Sequence, residues 1–119
     1  MTFRSSLFVG LALALTVPAA HAADPSRASE MAAEAQELVD RGDLGGADAK
    51  LKLALEIERT NCPANVVSGI IKLIRSDLPA AAQAANVCLG ADKKNAAALV
   101  LLVRVQTAQG SIDAALPKY

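Results

Sequence analysis

Three segments of the chain repeat one pattern at a fixed interval. Gly42-Asp43-Leu44-Gly45-Gly46-Ala47, Ser76-Asp77-Leu78-Pro79-Ala80-Ala81 and Gly110-Ser111-Ile112-Asp113-Ala114-Ala115 each read as a turn, a helix start, an aliphatic residue and, three positions on, an alanine. Successive segments lie 34 residues apart. That period marks helix–turn–helix units that cannot bury their apolar faces alone and stack to do so. The pattern predicts an all-α chain whose activity resides in a surface rather than in a reaction centre.

The start of the chain reads differently. Arg4 gives a positive lead, Leu7 to Val17 an apolar run, and Ala20-His21-Ala22 a small-x-small cleavage site. This is the pattern of a secretory signal peptide over residues 1–22. The run is too short to cross a bilayer, which takes about 20 apolar residues, and Pro18 interrupts it. The alternative is an uncleaved anchor. No cysteine follows the cleavage site to carry a lipid, and no twin-arginine pair precedes the run, so export would be in the unfolded state. The expectation is an exported protein, periplasmic in a bacterium and otherwise secreted, with no stable membrane insertion after cleavage. Residues 23–119 then form one small domain.

Within residues 23–119 there is no His, Trp or Phe, Tyr119 is the single aromatic, and alanine makes up about a fifth. Alanine is the strongest helix former and lets helices approach closely. Residues 24–48 hold seven acids against Arg27 and Arg41, whereas 49–119 hold nine bases against five acids. So small a basic excess, with no aromatics among it, is a poor footprint for nucleic acid. It fits solvated helix faces, or head-to-tail association of acidic and basic ends. Apolar periodicity and capping residues predict helices near 27–41, 44–59, 63–75, 78–90, 96–109 and 112–117. Asp24 or Ser26 is expected to cap the first, Asp43 the second, Asp77 the fourth and Asn95 the fifth. Pro63 and Pro79 suit first turns, where a missing N–H is harmless. Gly110 closes the fifth helix, and Pro117 limits the sixth.

These residues resemble the tetratricopeptide repeat and related helical-hairpin families. The matching positions are Gly42, Leu44, Ala47, Leu51, Ala54 and Leu55 in one unit, and Ser76, Leu78, Ala81, Ala85, Cys88 and Leu89 in the next. A third gives Gly110, Ile112, Ala115 and Tyr119. The resemblance implies a right-handed stack of antiparallel helix hairpins, about two and a half repeats, with units near 28–61, 62–95 and 96–119. It places Ala47, Ala81 and Ala115 where paired helices cross, and Gly69 opposite Ala81 and Cys88 at the closest approach. The large aromatics that the family often uses are absent; Met31, Asn65 and Leu99 stand in their place. The third helix is polar at Asn65, Ser68 and Lys72 where packing is expected, and apolar elsewhere. The alternative is an irregular alanine-rich bundle.

The resemblance also brings the start of the third helix beside the end of the fourth, so that Cys62 and Cys88 can form a disulfide if their Cα atoms lie within about 7 Å. Export favours oxidation. The alternative is a reactive thiol, but no histidine is present to activate one. Two cysteines without histidine fall short of a zinc site. Glu30, Glu34 and Glu37 line one side of the first helix, as a solvated face or a weak calcium site. Gly45-Gly46 lacks the strand and the Lys-Ser/Thr of a phosphate loop. No catalytic residue, cofactor or metal is expected.

In the resembled family the leading helices line a concave groove. The positions carried over here are Gln36, Val39, Asp40, Val66, Ile70, Leu73, Ile74, Val100, Arg104 and Thr107. Such a groove would accept an extended or amphipathic segment of a peptide or protein, with Arg104 meeting a carboxylate. The other reading of these aliphatics is ordinary core. An alternative function is a small periplasmic inhibitor or immunity-type protein that blocks a partner enzyme with its loops or convex face. The short last unit suggests self-association.

Overall fold

The computed structural model describes residues 25–115, with side chains over residues 26–111. The signal-peptide segment 1–22, the Asp24 cap, Tyr119 and the side chains of Ile112 and Ala115 lie outside the described residues. All regular structure among the described residues is helical. The helices are α1 (Pro25–Asp40), α2 (Leu44–Ile57), α3 (Cys62–Ile74), α4 (Leu78–Ala91) and α5 (Ala96–Ala115). Because α1 begins at Pro25, Ser26 lies inside it rather than at its cap.

The turns show why the sequence repeats. After α1, Gly42 takes a φ of 84°, and after α3, Ser76 takes a φ of 62°. Both lie in the left-handed region that lets a helix reverse. The Gly42 and Asp43 amides donate to the carbonyls of Val39 and Leu38, and the Ser76 and Asp77 amides donate to those of Leu73 and Lys72. These bonds satisfy carbonyls that the helix end would otherwise leave bare. The next residue starts the next helix. The Asp43 carboxylate accepts from the Gly46 amide at 2.9 Å, and that of Asp77 from the Ala80 amide at 3.3 Å. A helix stop and a helix start are thus compressed into two residues.

The longer connections match in the same way. Glu58 and Asp92 end α2 and α4 in extended conformations, with φ of −143° and −141°. Asn61 and Asn95 then cap α3 and α5 by accepting from the Ala64 and Ala98 amides at 2.9 and 3.0 Å. Each of these pairs is separated by the sequence period.

Helix α1 packs on α2, α3 on α4, and α4 on α5; α1 also touches α3, and α3 touches α5. Helix α3 lies between two cores. Its Ala64, Val67 and Ile71 join α1 and α2 around Ala28, Ala32, Ala35, Ala47, Leu51 and Ala54. Its Val66, Ile70 and Leu73 pack against α4 and α5 around Ala81, Ala85, Cys88, Leu101 and Val105. This explains the apolar residues around so much of α3. Its polar exceptions are accounted for. Asn65 is buried and donates to the carbonyls of Asn61 and Arg59. Lys72 donates to Ser68 at 3.3 Å. The contacts also clarify Gly69. A methyl group there would run into Leu101 and lie 3.3 Å from both the Ala81 carbonyl oxygen and the Ala84 methyl. Ala81 stands opposite as expected, but the tightest neighbour is Leu101 of α5, and Ala84 takes the place assigned to Cys88.

The last expected break is absent. Helix α5 runs on through Gly110 to Ala115, so the separate sixth helix over 112–117 does not form within the described residues. Gly110 does not take the left-handed φ of Gly42 and Ser76, and Ser111 makes no cap. Its hydroxyl donates back to the Thr107 carbonyl at 3.1 Å, as that of Thr107 does to Val103 at 2.8 Å. A serine bonded backward in this way continues a helix rather than capping a new one. The preceding turns have aspartate in that register.

Ser76 occupies a conformation that costs a residue with a Cβ about 1 kcal/mol or more, and glycine nothing sterically. Ser76→Gly should therefore raise stability by about 0.5–1 kcal/mol, and Gly42→Ser should lower it by about 1 kcal/mol. The midpoints of urea unfolding measure both.

Candidate functional site

The leading helices α1, α3 and α5 present their sides to a shallow, nearly apolar groove. It consists of two adjoining hollows of about 420 and 380 Å³ that share Val66 and Ala97. The lining follows the sequence period. Ser29, Pro63 and Ala97 form one row; Ala32, Val66 and Val100 a second; Ala33, Val67 and Leu101 a third; Gln36, Ile70 and Arg104 a fourth. Asn95 and Ala96 complete one end. Each helix contributes two consecutive turns, because positions i, i+3, i+4 and i+7 share one helical face.

Polar groups at the groove are mostly engaged. Ser29 accepts from the Asn61 side chain at 3.0 Å, and the same amide donates to Glu58 at 2.8 Å. Asn61 is buried and so ties α1, the end of α2 and the start of α3 together beneath the groove. Gln36 donates to Asp40 at 2.8 Å. Arg104 differs: it makes no hydrogen bond or ion pair with the described residues. It leaves an exposed cation at the α5 edge, beside Ile70 and Val100.

Of the groove positions taken from the sequence, Gln36, Val66, Ile70, Val100 and Arg104 line these hollows. The others lie one turn beyond. Val39 packs against the first core and Leu73 against the second. Ile74 is 54% exposed. Asp40 is held by Gln36, and Thr107 bonds its own helix. The residues that sequence missed are Ser29, Ala32, Ala33, Pro63, Val67, Asn95, Ala96, Ala97 and Leu101. Several are alanines, which leave no mark beyond helix propensity. The available signal was the period itself: Gln36, Ile70 and Arg104 lie on one register, and the positions three, four and seven residues before each complete the face.

No family model matches the chain, and no curated protein or solved structure matches it. The site therefore rests on its own chemistry.

Cys62 and Cys88 are joined by a disulfide with Cα atoms 4.6 Å apart. This lies within the usual span for the bond. It fastens the first residue of α3 to the last turn of α4, behind Pro63 and Val66 of the groove wall. The acids of α1 face bases. Glu30 pairs with Arg27, Glu37 with Arg41, and Glu34 with Lys50 of α2 at 2.6 Å. No cluster of metal-binding side chains occurs among the described residues. The Lys50 hydrogen bond, and then its charge, hold the Glu34 carboxyl below its ordinary range. That pairing contributes above the ordinary glutamate range and is lost as pH falls through the lowered value; both groups are exposed, so its effect is small. Arg75 reaches Asp48 at 2.8 Å and ties α3 to α2. A further hollow of about 530 Å³ lies on α2, α3 and α4, lined by Lys52, Leu55, Glu56, Arg59, Asn65 and Val87. Its three charged side chains make it unlike the groove. Among the described residues, no helix is long and apolar enough to cross a membrane.

Opening the disulfide frees a loop of 26 residues. In the chain-entropy model its closure contributes about 3–4 kcal/mol. Unfolding in urea with and without reductant, and of the Cys62→Ala/Cys88→Ala double variant, should show a loss of about that size.

Proposed function

We propose that this chain is an exported helical-repeat module that binds a peptide or protein segment in the groove of α1, α3 and α5. The helices would form a right-handed stack of antiparallel hairpins like that of the tetratricopeptide repeat. Two complete pairs, α1–α2 and α3–α4, are followed by the leading helix α5. Support comes from the recurrence of turn torsions, caps and packing at the sequence period. The alternation of α1, α3 and α5 along one side is what such a stack requires. Export is supported by the N-terminal pattern and by the disulfide, since such bonds persist in oxidising compartments.

The observation that carries the binding reading is Arg104, a guanidinium with no partner among the described residues, at one end of a nearly apolar groove. An apolar trough orients nothing by itself; a single cation at its edge does. The segment that fits has small or branched apolar side chains and a carboxylate, from its own terminus or from Asp or Glu. The carboxylate would meet Arg104 in a fork of hydrogen bonds, and the apolar side chains would lie over Val66, Val100 and Ile70. The bridge behind the groove would keep its wall from moving and lower the ordering cost of binding. Residues 23–119 hold no histidine and no carboxylate lines the groove, so we assign the groove to binding rather than turnover.

The test is a displayed library of short peptides with free C-termini, selected on the oxidised protein. Selected peptides should be apolar with a terminal or side-chain carboxylate, and should shift the backbone amide resonances of Ala97, Val100 and Arg104. Arg104→Glu should weaken binding at least tenfold, or about 1.4 kcal/mol. Val100→Asp, at a groove-lining site that is 51% exposed, should abolish it without loss of helicity. Binding untouched by both changes would move the partner off the groove, as the inhibitor alternative requires.

A further inference from the structure

The groove is two hollows rather than one trough, and their placement sets the spacing of what can fill them. The first takes its lining mainly from α1 and α3, with Ala32, Ala33 and Gln36 on one side and Pro63 and Val67 on the other. The second takes its lining from α3 and α5, with Ile70 on one side and Val100, Leu101 and Arg104 on the other. Val66 and Ala97 belong to both and stand between them. The hollows are therefore offset by one helix spacing, about 8–10 Å between packed helices. The walls offer little hydrogen bonding. They are helices, whose backbone groups bond within the helix, and the Ser29 and Gln36 side chains are already engaged.

We propose that the occupant is a polyproline-II segment of a partner protein, with two aliphatic anchors three residues apart and an acidic side chain directly flanking one of them. This rests on the groove reading above and gives it a register. Polyproline II has three residues per turn and rises about 3.1 Å per residue, so residues i and i+3 point the same way about 9 Å apart. That matches the offset of the hollows. A β-strand sets same-face side chains about 7 or 13 Å apart, short of the second hollow or past it. An α-helix spaces residues i and i+7 by about 10 Å. It also puts i+3 and i+4 on the same face, against Val66 and Ala97. A polyproline-II backbone makes no internal hydrogen bonds and stays solvated, which suits walls that leave it few partners.

The charge fits the same conformation. Successive side chains of polyproline II turn by about 120°, so the residue beside the second anchor is carried sideways to the rim of its hollow. Arg104 stands exposed at that rim, without a partner among the described residues, and is complementary to a carboxylate there. The anchors are aliphatic and not the prolines themselves. Slots that seat proline are lined by aromatic rings, and no aromatic residue lines either hollow. Prolines fall between the anchors, where they hold the backbone extended before it binds.

Synthetic peptides blocked at both ends, so that only a side-chain carboxylate is present, test this by titration into the oxidised protein with its amide resonances as the readout. Leu-Pro-Pro-Leu-Glu, or Glu-Leu-Pro-Pro-Leu for the opposite chain direction, should shift the amides of Ala33 and Ala97 at the first hollow and of Val100 and Arg104 at the second. One proline or three between the leucines should weaken binding by about tenfold or more, and Gly-Gly by about threefold or more, since a flexible spacer must be ordered on binding. Ala33→Leu fills the first hollow from an exposed site. It should weaken the two-leucine peptide by about tenfold, and one of the two peptides with a leucine replaced by alanine should no longer sense it. Arg104→Glu should prefer the peptide with lysine in place of glutamate. Groove binding that ignores the spacing, is tightest at another spacing, or is helical when bound would overturn the proposal and leave the groove reading standing. So would blocked peptides that shift no groove amide while peptides from the displayed library do. If neither set shifts them, the groove reading falls as well.

Discussion

The close approach of α3 to both α4 and α5 governs the rest of the structure. Gly69 stands where three elements meet, with the Ala81 carbonyl and the Ala84 methyl on one side and Leu101 on the other. A side chain there would part α3 from α4 or push α5 outward. Interiors are packed too densely to absorb such a change without a shift of whole helices. The groove depends on the same contact, because its floor residues Val67 and Leu101 belong to the helices that Gly69 allows together. The alanines at the other crossings act likewise. Ala47, Ala54, Ala81 and Ala85 are fully buried, and each holds two helices at a short axial distance.

A core built from small side chains buries little area per residue, and a small domain has few to bury. Ile71 and Leu101 are among the few large side chains that are fully enclosed. The fold offsets this with directed interactions at helix ends. Asp43, Asn61, Asp77 and Asn95 each cap a helix, and each such cap contributes about 1 kcal/mol. The disulfide adds a constraint between α3 and α4, the pair that lies at the centre of the chain. No buried side-chain polar atom among the described residues lacks a partner, which fits a fold whose polar groups are assigned to its turns.

Much of this was legible in the sequence because the information is local. Left-handed residue, aspartate, aliphatic residue and alanine in fixed order specify a reversal and a new helix without reference to anything distant. The cysteine pair followed from where such helices must begin and end. The break at Gly110 was misread for an equally physical reason. Its letters match the other turns, but Ser111 turns back to Thr107, and the outcome depends on which acceptor the hydroxyl takes. The groove was legible only in part. Gln36, Ile70 and Arg104 were found on one register, whereas the alanine rows before them carry no chemical signature. Val39 and Leu73 were assigned one turn too far along, where the same aliphatic letters serve the core.

The central claim is that glycine and alanine bring α3 against α4 and α5 in one closely packed unit. Nuclear Overhauser contacts measured on the oxidised, isotope-labelled protein test it directly. The account predicts strong contacts from the Gly69 α-protons to the methyl groups of both Ala84 and Leu101. Strong contacts to one helix and none to the other would contradict it.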